Sequence, residues 1–350
     1  MAGGAPTPVR VRADDLTRCA AGIFETAGLS PEHALMWSES LVWANLRGVD
    51  THGVLRVPRY MELVEIGGVN PTPEMKVLLN DGPFALVNVD KAPGPVGMKK
   101  AAELAIERAK EAKIGWCIAQ NTSHSGAIGQ FALEIAEAGF AAIVMAASRP
   151  FMSYYGSKGP VVSTNPIAIA VPAKDRGPIV FDMSTATVPL GKIMAARRNK
   201  TPLEEGWAVD ANGAPATDPD KAVTVAPMAG PKGSGLSLMI ECLVSLMGGN
   251  PVLTDALNGD KEINMNGAAI ALDPAAFGPA ADYRAQVSSL AEVIGAQPTN
   301  GEVDKLLLPG ERGDLERERR MKDGIPLPKG VWDALLAAAE TAGVAPPETI

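Results

Sequence analysis

The sequence predicts a mixed α/β protein in which a helical domain, formed by both chain ends, accompanies a larger α/β domain. Three observations lead to this fold class. The first 74 residues carry amphipathic helical patterns, the middle alternates short apolar segments with helices, and the polar end from Glu311 is again helical. With 350 residues and 46% hydrophobic content, the chain can bury an extensive core. We expect residues 1–74 and 311–350 to form the helical domain and residues 75–310 to form a mixed sheet with helices.

Start and stop signals place three helices in the N-terminal part. An amphipathic run begins at residue 13, and Ser30 before Pro31 is typical of a helix start, because serine caps free N–H groups and proline fits the first turn. That second helix extends to Arg47. Pro58 fits the first turn of a third helix, which ends at Gly67-Gly68. His52 should then lie at the helix entrance, with Arg56 and Tyr60 on one face.

The middle of the chain alternates short apolar segments with helical patterns, which predicts a mixed sheet with helices. Short apolar segments between Gly, Pro and Asn turns predict strands at 77–79, 85–89, 115–119, 140–147, 167–171, 178–181 and 267–272. Helical patterns cover 98–113, 127–138 and 236–247, and the last of these opens at a glycine-rich turn and ends at Gly248-Gly249. Residues 311–350 are predicted to be helical throughout and to pack on the N-terminal helices.

Charge and cysteine content exclude several classes of partner. A formal net charge of −8 argues against nucleic acid or an anionic membrane, since either requires a basic face. An anionic ligand must therefore be held by a few local cations. The longest apolar run, 131–147, is interrupted by Glu134 and Glu137, so neither a membrane span nor a signal segment is expected. Three widely spaced cysteines without metal-ligand spacing predict reduced thiols in a cytoplasmic protein that has no metal site.

The segment from Asp50 to Tyr60 contains the densest group of side chains suited to catalysis and ligand binding. It places His52, Arg56 and Tyr60 within nine residues of a chain that has three histidines. A second histidine, His124, lies among small residues that let another molecule approach the backbone closely. An imidazole, a guanidinium and a phenol together are typical of a site that holds a small carboxylic acid and moves a proton.

Several standard templates are missing. No G-x-G-x-x-G follows a first strand, so an ordinary dinucleotide-binding fold is not predicted, and Gly230–Gly235 lacks the spacing of a P-loop. No G-x-S-x-G segment occurs. The Gly230–Gly235 turn nevertheless places Lys232 at a helix start, where free N–H groups favour an anion such as a phosphate; a plain helix-start turn is the alternative.

Six short motifs follow one another in order between about residues 35 and 330: Asp50-Thr51-His52-Gly53 with Arg56 and Tyr60, Ser123–Gly126, Ser163–Pro166, Phe181–Thr185, Ala229–Gly233 and Leu308–Glu311. Together they resemble the malate/L-lactate dehydrogenase family of the second, non-Rossmann type, which includes ureidoglycolate and sulfolactate dehydrogenases. The resemblance implies that residues 75–310 form a mixed-sheet domain binding NAD or NADP, not a Rossmann fold, and that the protein is a homodimer. It also implies hydride transfer between NAD(P)H and a small 2-oxo acid. The corresponding 2-hydroxy acid would be similar to malate, lactate, ureidoglycolate or sulfolactate.

The resemblance also suggests which residues hold the substrate. His124 matches the family's acid/base, with a pKa suited to proton transfer near neutral pH, and His52 is a second polar contact. Arg56 is the candidate carboxylate clamp, because a guanidinium offers two parallel donors; Thr51 and Tyr60 add hydroxyl groups. Arg47 and Arg59 are interpreted as surface charges. The remaining candidates, which either line the same cleft or form a structural turn before proline, are Thr164 and Asn165.

The cofactor residues implied by the resemblance are Ser148, Asp182, Met183, Ser184, Lys232, Gly310, Glu311 and Arg312. Lys232 would meet a diphosphate oxygen, and Asp182 either contacts the cofactor or, as a catalytic residue, orients His124. Arg149 follows Ser148 where the ureidoglycolate enzyme has an acid. A basic residue there could pair with a 2′-phosphate, which favours NADP over NAD.

Three alternatives remain open at the level of sequence. The enzyme could reduce a cyclic imine carboxylate to an amino acid, using the same carboxylate clamp. It could be a non-catalytic dinucleotide-binding homologue, although His52, Arg56, His124 and Lys232 are all intact. A metal-dependent hydrolase is disfavoured, because the three histidines do not form a metal-binding spacing.

Overall fold

The N-terminal helices begin where the capping signals predict them. The structure is a computed structural model that describes residues 7–262 and 264–350, so residues 1–6 of the predicted helical domain lie outside it. The Ser30 hydroxyl accepts a hydrogen bond from the His33 N–H at 3.2 Å, with Pro31 as the first helical residue. The elements of this part are β1 (Val9–Val11), α1 (Ala13–Thr26), α2 (Pro31–Leu46), two 3₁₀ turns (Asp50–His52 and Val54–Arg56) and α3 (Val57–Glu65).

The middle of the chain alternates strands with helices. In order, its elements are β2 (Lys76–Asp81), β3 (Phe84–Asn88), α4 (Gly94–Ala112), β4 (Ile114–Thr122), α5 (Gly129–Glu137), β5 (Ala141–Ala147), β6 (Met152–Ser153), β7 (Pro160–Val162), β8 (Ile167–Val171), β9 (Ile179–Met183), α6 (Leu190–Asn199), β10 (Ala208–Val209), β11 (Thr224–Val225), α7 (Pro231–Glu241), α8 (Leu253–Leu257), β12 (Met265–Leu272) and α9 (Ala280–Gly295).

A seven-stranded mixed sheet, in the order β2-β3-β4-β12-β5-β8-β9, forms the frame of this part. Its β3–β4 pair is parallel, and its other neighbouring pairs are antiparallel. Helices α4 and α5 cover one face with Met98, Phe131 and Ile135, all fully buried. The backbone of α4 lies so close to β4 that a Cβ at Gly115 would be 1.9 Å from the Ala105 carbonyl oxygen, and only glycine fits there. The opposite face packs against Ile240 of α7.

A four-stranded sheet, β10-β11-β6-β7, has a hydrophobic cluster of its own. Met152, Val162 and Val225 come from its strands, while Ile193 comes from α6. The sequence reasoning did not find α6, β10 or β11.

The C-terminal segment returns to the N-terminal helices but is not wholly helical. It consists of α10 (Glu311–Asp323), β13 (Ile325–Leu327) and α11 (Lys329–Ala342). Strand β13 pairs antiparallel with β1, with Val9 opposite Leu327. Leu335 of α11 has no exposed surface and joins the same buried cluster as Trp37 of α2. The expectation of continuous helix over 311–350 is therefore wrong at β13, where backbone pairing with β1 replaces the helix.

The apolar helix predicted over 236–247 begins earlier than expected. Pro231 starts α7, so the glycine-rich turn lies inside the first helical turns instead of preceding them. Gly230 precedes the helix with φ +63°, a left-handed conformation that glycine tolerates. After Glu241 the helix widens into a π-helical turn, Cys242–Leu246.

Two further observations concern the whole of the described chain. All three cysteines are unpaired, as the sequence predicts. Over residues 7–262 and 264–350, no helix combines the length and apolar character needed to cross a membrane.

Replacing Leu335 by alanine should lower the free energy of unfolding by about 2–5 kcal/mol, because a fully buried leucine leaves a cavity shared by both chain ends. Chemical denaturation measures the change. Leu315→Ala is the matched control: Leu315 lies on α10 with 53% of its surface exposed, and its loss should change stability by less than about 0.5 kcal/mol. Equal effects of the two substitutions would show that α11 does not belong to this core.

Candidate active site

The turn from Asp50 to Val54 is held by Asn45 of α2. The Asn45 side-chain amide donates to the Asp50 carboxylate at 2.6 Å, and its oxygen accepts from the Val54 N–H at 2.9 Å. A Cβ at Gly53 would lie 2.2 Å from that oxygen, so the position requires glycine. These contacts explain why aspartate and glycine flank Thr51 and His52.

Five of the predicted site residues lie together at or beside this turn. The Tyr60 hydroxyl is 2.6 Å from His124 Nδ1, and the rings of His52 and His124 stack with centroids 5.4 Å apart and planes 18° apart. Arg56 donates from Nε to the Thr51 carbonyl at 2.8 Å. The Thr51 hydroxyl lies 3.0 Å from His52 Nδ1. Residues far apart in sequence are thus brought into one cluster, as a shared acid-binding site requires.

The hydrogen bonds around His124 define its neutral form. Its Nδ1 accepts from the Gly126 backbone N–H at 3.3 Å. Because a backbone N–H can only donate, Nδ1 carries no proton in this arrangement, and the Tyr60 hydroxyl donates to the same nitrogen. The proton of the neutral ring is therefore on Nε2. His124 as a whole is half-buried, and Nε2 is the ring nitrogen that these contacts leave unused.

Burial and positive charge act together on the two imidazoles. Burial, followed by the charge on Arg56, lowers the pKa of His52 to about 4. The pKa of His124 is also lowered, first by burial and then by His52 and Arg56. Burial raises the pKa of Tyr60, whose ring stacks on Trp37 with centroids 4.7 Å apart. The cluster therefore holds one fixed cation and two neutral imidazoles at pH 7.

Asp182 does not orient His124. Its carboxylate accepts from the Gly129 N–H, at the start of α5, with a distance of 2.9 Å. Burial of the carboxylate raises the pKa of Asp182 to about 6. The residue as a whole is nevertheless exposed. The partners of His124 are Tyr60 and Gly126, which corrects the alternative that made Asp182 the orienting group.

Asn165 is a structural residue. It has no exposed surface, its side-chain oxygen accepts from the Ser148 N–H at 3.1 Å, and its amide donates to the Ser237 carbonyl at 3.1 Å. The expectation that Asn165 contacts substrate is therefore wrong. Its buried amide instead connects the backbone at Ser148, after β5, to the backbone of α7. Thr164 is half-buried, and its carbonyl accepts from the Thr185 N–H at 3.4 Å.

The start of α7 lies against the segment that follows β9. A Cβ at Gly233 would be 2.4 Å from the Thr185 carbonyl oxygen, so the helix start touches the residue after Met183 and Ser184. Lys232 is exposed and, over the described chain, forms no salt bridge. The Thr185 hydroxyl is buried without a hydrogen-bond partner. Pro231 has no N–H, and the N–H groups of Gly233 and Ser234 donate to the Met228 and Gly230 carbonyls, so the start of α7 brings a lysine and the N–H of Lys232 near an unpartnered hydroxyl.

The turn before α10 packs on the same strand. A Cβ at Gly310 would lie 2.7 Å from a methyl group of Val180 in β9, and Gly310 adopts φ +94°. The Glu311 carboxylate accepts from the Leu308 N–H at 2.9 Å and pairs with Arg176 at 3.0 Å, while Arg312 is exposed. Gly310, Glu311 and Arg312 therefore flank the strand that ends in Asp182 and Met183.

Known proteins resemble this chain along nearly its whole length. The profile of the family described as malate/L-lactate dehydrogenase matches residues 11–336.

This chain belongs to the malate/L-lactate dehydrogenase family.

Three relatives illustrate the similarity. The chain is 33% identical to malate dehydrogenase of Pyrococcus horikoshii, covering 96% of each chain, and the solved structure of that organism's malate dehydrogenase superposes with a TM-score of 0.89 over 98% of this chain and 99% of the other. It is 33% identical to L-sulfolactate dehydrogenase of Methanocaldococcus jannaschii and 33% identical to ureidoglycolate dehydrogenase (NAD(+)) of Escherichia coli K12, each covering 89% of this chain and 91% of the relative. The chain is accordingly a dehydrogenase of the hydroxy/oxo acid type, which implies a nicotinamide cofactor.

Two arginines of this dehydrogenase differ from their predicted roles. Arg47 is only 5% exposed; its guanidinium donates to the Gly310 carbonyl at 2.9 Å and lies over the Trp43 ring, so its interpretation as a surface charge is wrong. Arg149 donates from both terminal nitrogens to the carbonyls of Asp260 and Glu262. Its donors are already engaged, which removes the argument for NADP. Arg59 is exposed and pairs with Glu62 at 2.7 Å, as predicted.

Sequence reasoning missed Asn45 and Gly126, which set the geometry of the site. Asn45 carries no local signal, because its two partners are revealed only by the fold. Gly126 follows His124 by two residues, and a glycine at that spacing could have indicated a backbone N–H turned toward the ring.

The dehydrogenase should lose stability as the pH falls from about 6.5 to about 4. The pKa of His52 is lower in the folded chain than in the unfolded one, so in this interval the unfolded chain binds a proton that the folded chain does not. His52→Gln should remove about 2–3 kcal/mol of this pH dependence. Urea denaturation of both proteins at pH 7.5, 6, 5 and 4 provides the comparison. Parallel stability profiles would show that His52 is not held neutral.

Proposed function

We propose that this dehydrogenase interconverts a small 2-oxo acid and the corresponding 2-hydroxy acid, with NAD(H) or NADP(H) carrying the hydride. The observation that carries the proposal is a half-buried guanidinium without a carboxylate partner in the described chain, next to a half-buried imidazole whose Nδ1 is engaged, so that Nε2 is the nitrogen left for a ligand. One group fits the acid end of such a molecule, and the other fits its reacting oxygen.

Arg56 is the proposed carboxylate clamp. Its Nε is used by the Thr51 carbonyl, which fixes the plane of the guanidinium and leaves the two terminal nitrogens for a ligand. Two parallel N–H donors match the two oxygens of a carboxylate. A net charge of −8 makes the surroundings unfavourable for anions, so this local cation determines where an acid binds.

Binding of the acid prepares the imidazoles for proton transfer. The charge on Arg56 is one of the causes that lower the pKa of both His52 and His124. A bound carboxylate offsets that charge, so the pKa of each ring rises toward neutrality. His124 can then take a second proton on Nδ1, which requires the Tyr60 hydroxyl to turn into an acceptor and the Gly126 N–H, 3.3 Å away, to give up its contact with that nitrogen.

His124 is the proposed acid/base. In the direction of reduction, the doubly protonated ring gives its Nε2 proton to the substrate oxygen as that oxygen gains negative charge, and the ring is left neutral with its proton on Nδ1; in oxidation, that tautomer accepts the proton back on Nε2. His52 stacks beside it and supplies a second polar contact, and Thr51 steadies His52 through Nδ1. Tyr60 keeps the ring of His124 in one orientation, so it acts behind the imidazole and not on the substrate.

The residues around α7 and β9 fit a dinucleotide. A nicotinamide cofactor supplies the hydride, which no amino-acid side chain can deliver. The Lys232 ammonium group and its backbone N–H at the start of α7 suit its diphosphate, and the unpartnered Thr185 hydroxyl provides a further donor in the same region. Ser148, Met183, Ser184 and the turn formed by Gly310, Glu311 and Arg312 would line the remainder. Because Arg149 is engaged, we assign no preference for NADP.

Homodimer formation and a cytoplasmic location are the remaining parts of the proposal. Leu79, Phe84 and Met247 are about half exposed beside a cavity of about 160 Å³ whose lining includes Trp116. An apolar patch of this kind favours association between copies. Sedimentation analysis showing a monomer at micromolar concentration would contradict it. Unpaired thiols favour a reducing compartment.

Arg56→Lys should raise KM for the acid strongly while changing kcat less, because an ammonium group keeps the charge but loses the two parallel donors. Steady-state absorbance of reduced nicotinamide with a panel of 2-oxo acids measures both constants. Arg59→Lys, three residues away in an exposed pair with Glu62, is the control and should behave like the wild type. If both substitutions had the same small effect, Arg56 would not be the clamp.

His124→Ala should lower kcat by roughly 10²–10⁴-fold, the usual contribution of a positioned acid/base. The measurement is the same absorbance assay, with cofactor binding followed separately by the fluorescence of the reduced nicotinamide. His33→Ala serves as the control, since His33 lies outside the cluster. Near-normal kcat in His124→Ala would refute the role assigned to His124. Cofactor binding by the wild type without turnover of any 2-oxo acid or cyclic imine acid would instead favour a non-catalytic homologue.

A further inference from the structure

All three guanidinium nitrogens of Arg320, on helix α10, have hydrogen-bond partners, although the proposed mechanism gives this residue no role. It is 7% exposed, and its terminal nitrogens meet the two Asp50 carboxylate oxygens at 2.6 and 3.0 Å. One of these nitrogens also donates to the Asn45 carbonyl at 2.6 Å, and Nε donates to Glu316 at 2.5 Å. This geometry is bidentate and leaves the guanidinium no freedom to rotate.

The partner of Arg320 begins the turn that carries the substrate residues. Asp50 directly precedes Thr51 and His52, and the carbonyl of Thr51 accepts from Nε of Arg56. Arg320 and Asn45 bind the same Asp50 carboxylate from different elements. A shift of Asp50 therefore moves the carbonyl that fixes the Arg56 plane and the ring of His52.

The other end of α10 is tied to the same helix of the N-terminal part. Arg47 of α2 donates to the Gly310 carbonyl and pairs with Asp314 in the first turn of α10. Helix α10 thus contacts α2 near Gly310, beside the proposed cofactor turn, and contacts the Asp50 turn through Arg320. Because hydrogen bonds fix α10 at both of its ends, the distance between the Gly310 turn and the Asp50 turn stays constant.

We propose that Arg320 is a positioning residue for catalysis, which holds the Asp50–Arg56 segment at the angle needed to bind the acid. The proposal rests on the proposed function, since it concerns the same clamp. A buried ion pair contributes little net stability compared with apolar side chains of similar size. What two parallel hydrogen bonds provide is orientation, and small displacements of positioning groups are costly in an active site.

The first experiment compares Arg320→Lys with Arg319→Lys. Lysine cannot bind both Asp50 oxygens and the Asn45 carbonyl in the same plane. We expect kcat/KM for the acid to fall roughly 10–100-fold, mostly through KM, while the dissociation constant of the reduced cofactor stays at the wild-type value. Arg319 is the neighbouring residue, exposed and paired with Glu316, and its substitution should leave all three constants unchanged. Asp50→Asn should reproduce the rise in KM, and it decides the question if Arg320→Lys does not fold.

A second measurement does not depend on turnover. The chain has three histidines, so the side-chain resonances of histidine-labelled protein can be assigned with single substitutions. Arg320→Lys and Asp50→Asn should move the His52 resonances and leave those of His33 in place. Unchanged His52 resonances together with unchanged KM in both variants would overturn the proposal, even if thermal stability fell. Moved His52 resonances in an enzyme whose wild type turns over no acid would support the positioning role and refute the proposed function.

Discussion

The hydrogen bond between Tyr60 and His124 is the interaction on which the rest of the site depends. It links α3, in the helical part of the chain, to the loop after β4 in the seven-stranded sheet. Without it the clamp on one element and the imidazole on the other would have no fixed relation. The backbone N–H of Gly126 adds the second constraint, because it determines which ring nitrogen carries the proton. Geometry and protonation state are thus set by two contacts on one nitrogen atom.

Electrostatics explains how an acidic protein can bind an acid. The formal charge of −8 is distributed over the whole chain, whereas the site contains one guanidinium and two imidazoles that its charge helps to keep neutral. An incoming carboxylate meets a cation without a partner in the described chain and changes the proton affinity of the rings beside it. In the proposed mechanism, substrate binding and readiness for proton transfer are then coupled through charge.

Much of the fold could be predicted from sequence, for identifiable reasons. Strands such as β4 and β8 are apolar runs of strand length between turn residues, and Ser30-Pro31 marks the start of α2 through its capping chemistry. Strand β13 could not be found, because three residues between two helices carry no period and their partner β1 lies at the other chain end. Within the site, sequence indicated the reactive groups but not their partners. Asn165 and Arg47 were misjudged because residue type does not reveal burial.

The most direct test of this account is a crystal structure of the complex with NADH and oxamate, an unreactive analogue of a 2-oxo acid. The account predicts that the oxamate carboxylate binds the two terminal nitrogens of Arg56 and that its amide oxygen accepts a hydrogen bond from His124 Nε2, with Tyr60 still bound to Nδ1. It would be contradicted by a complex in which the carboxylate binds elsewhere, or in which Nε2 of His124 faces away from the ligand.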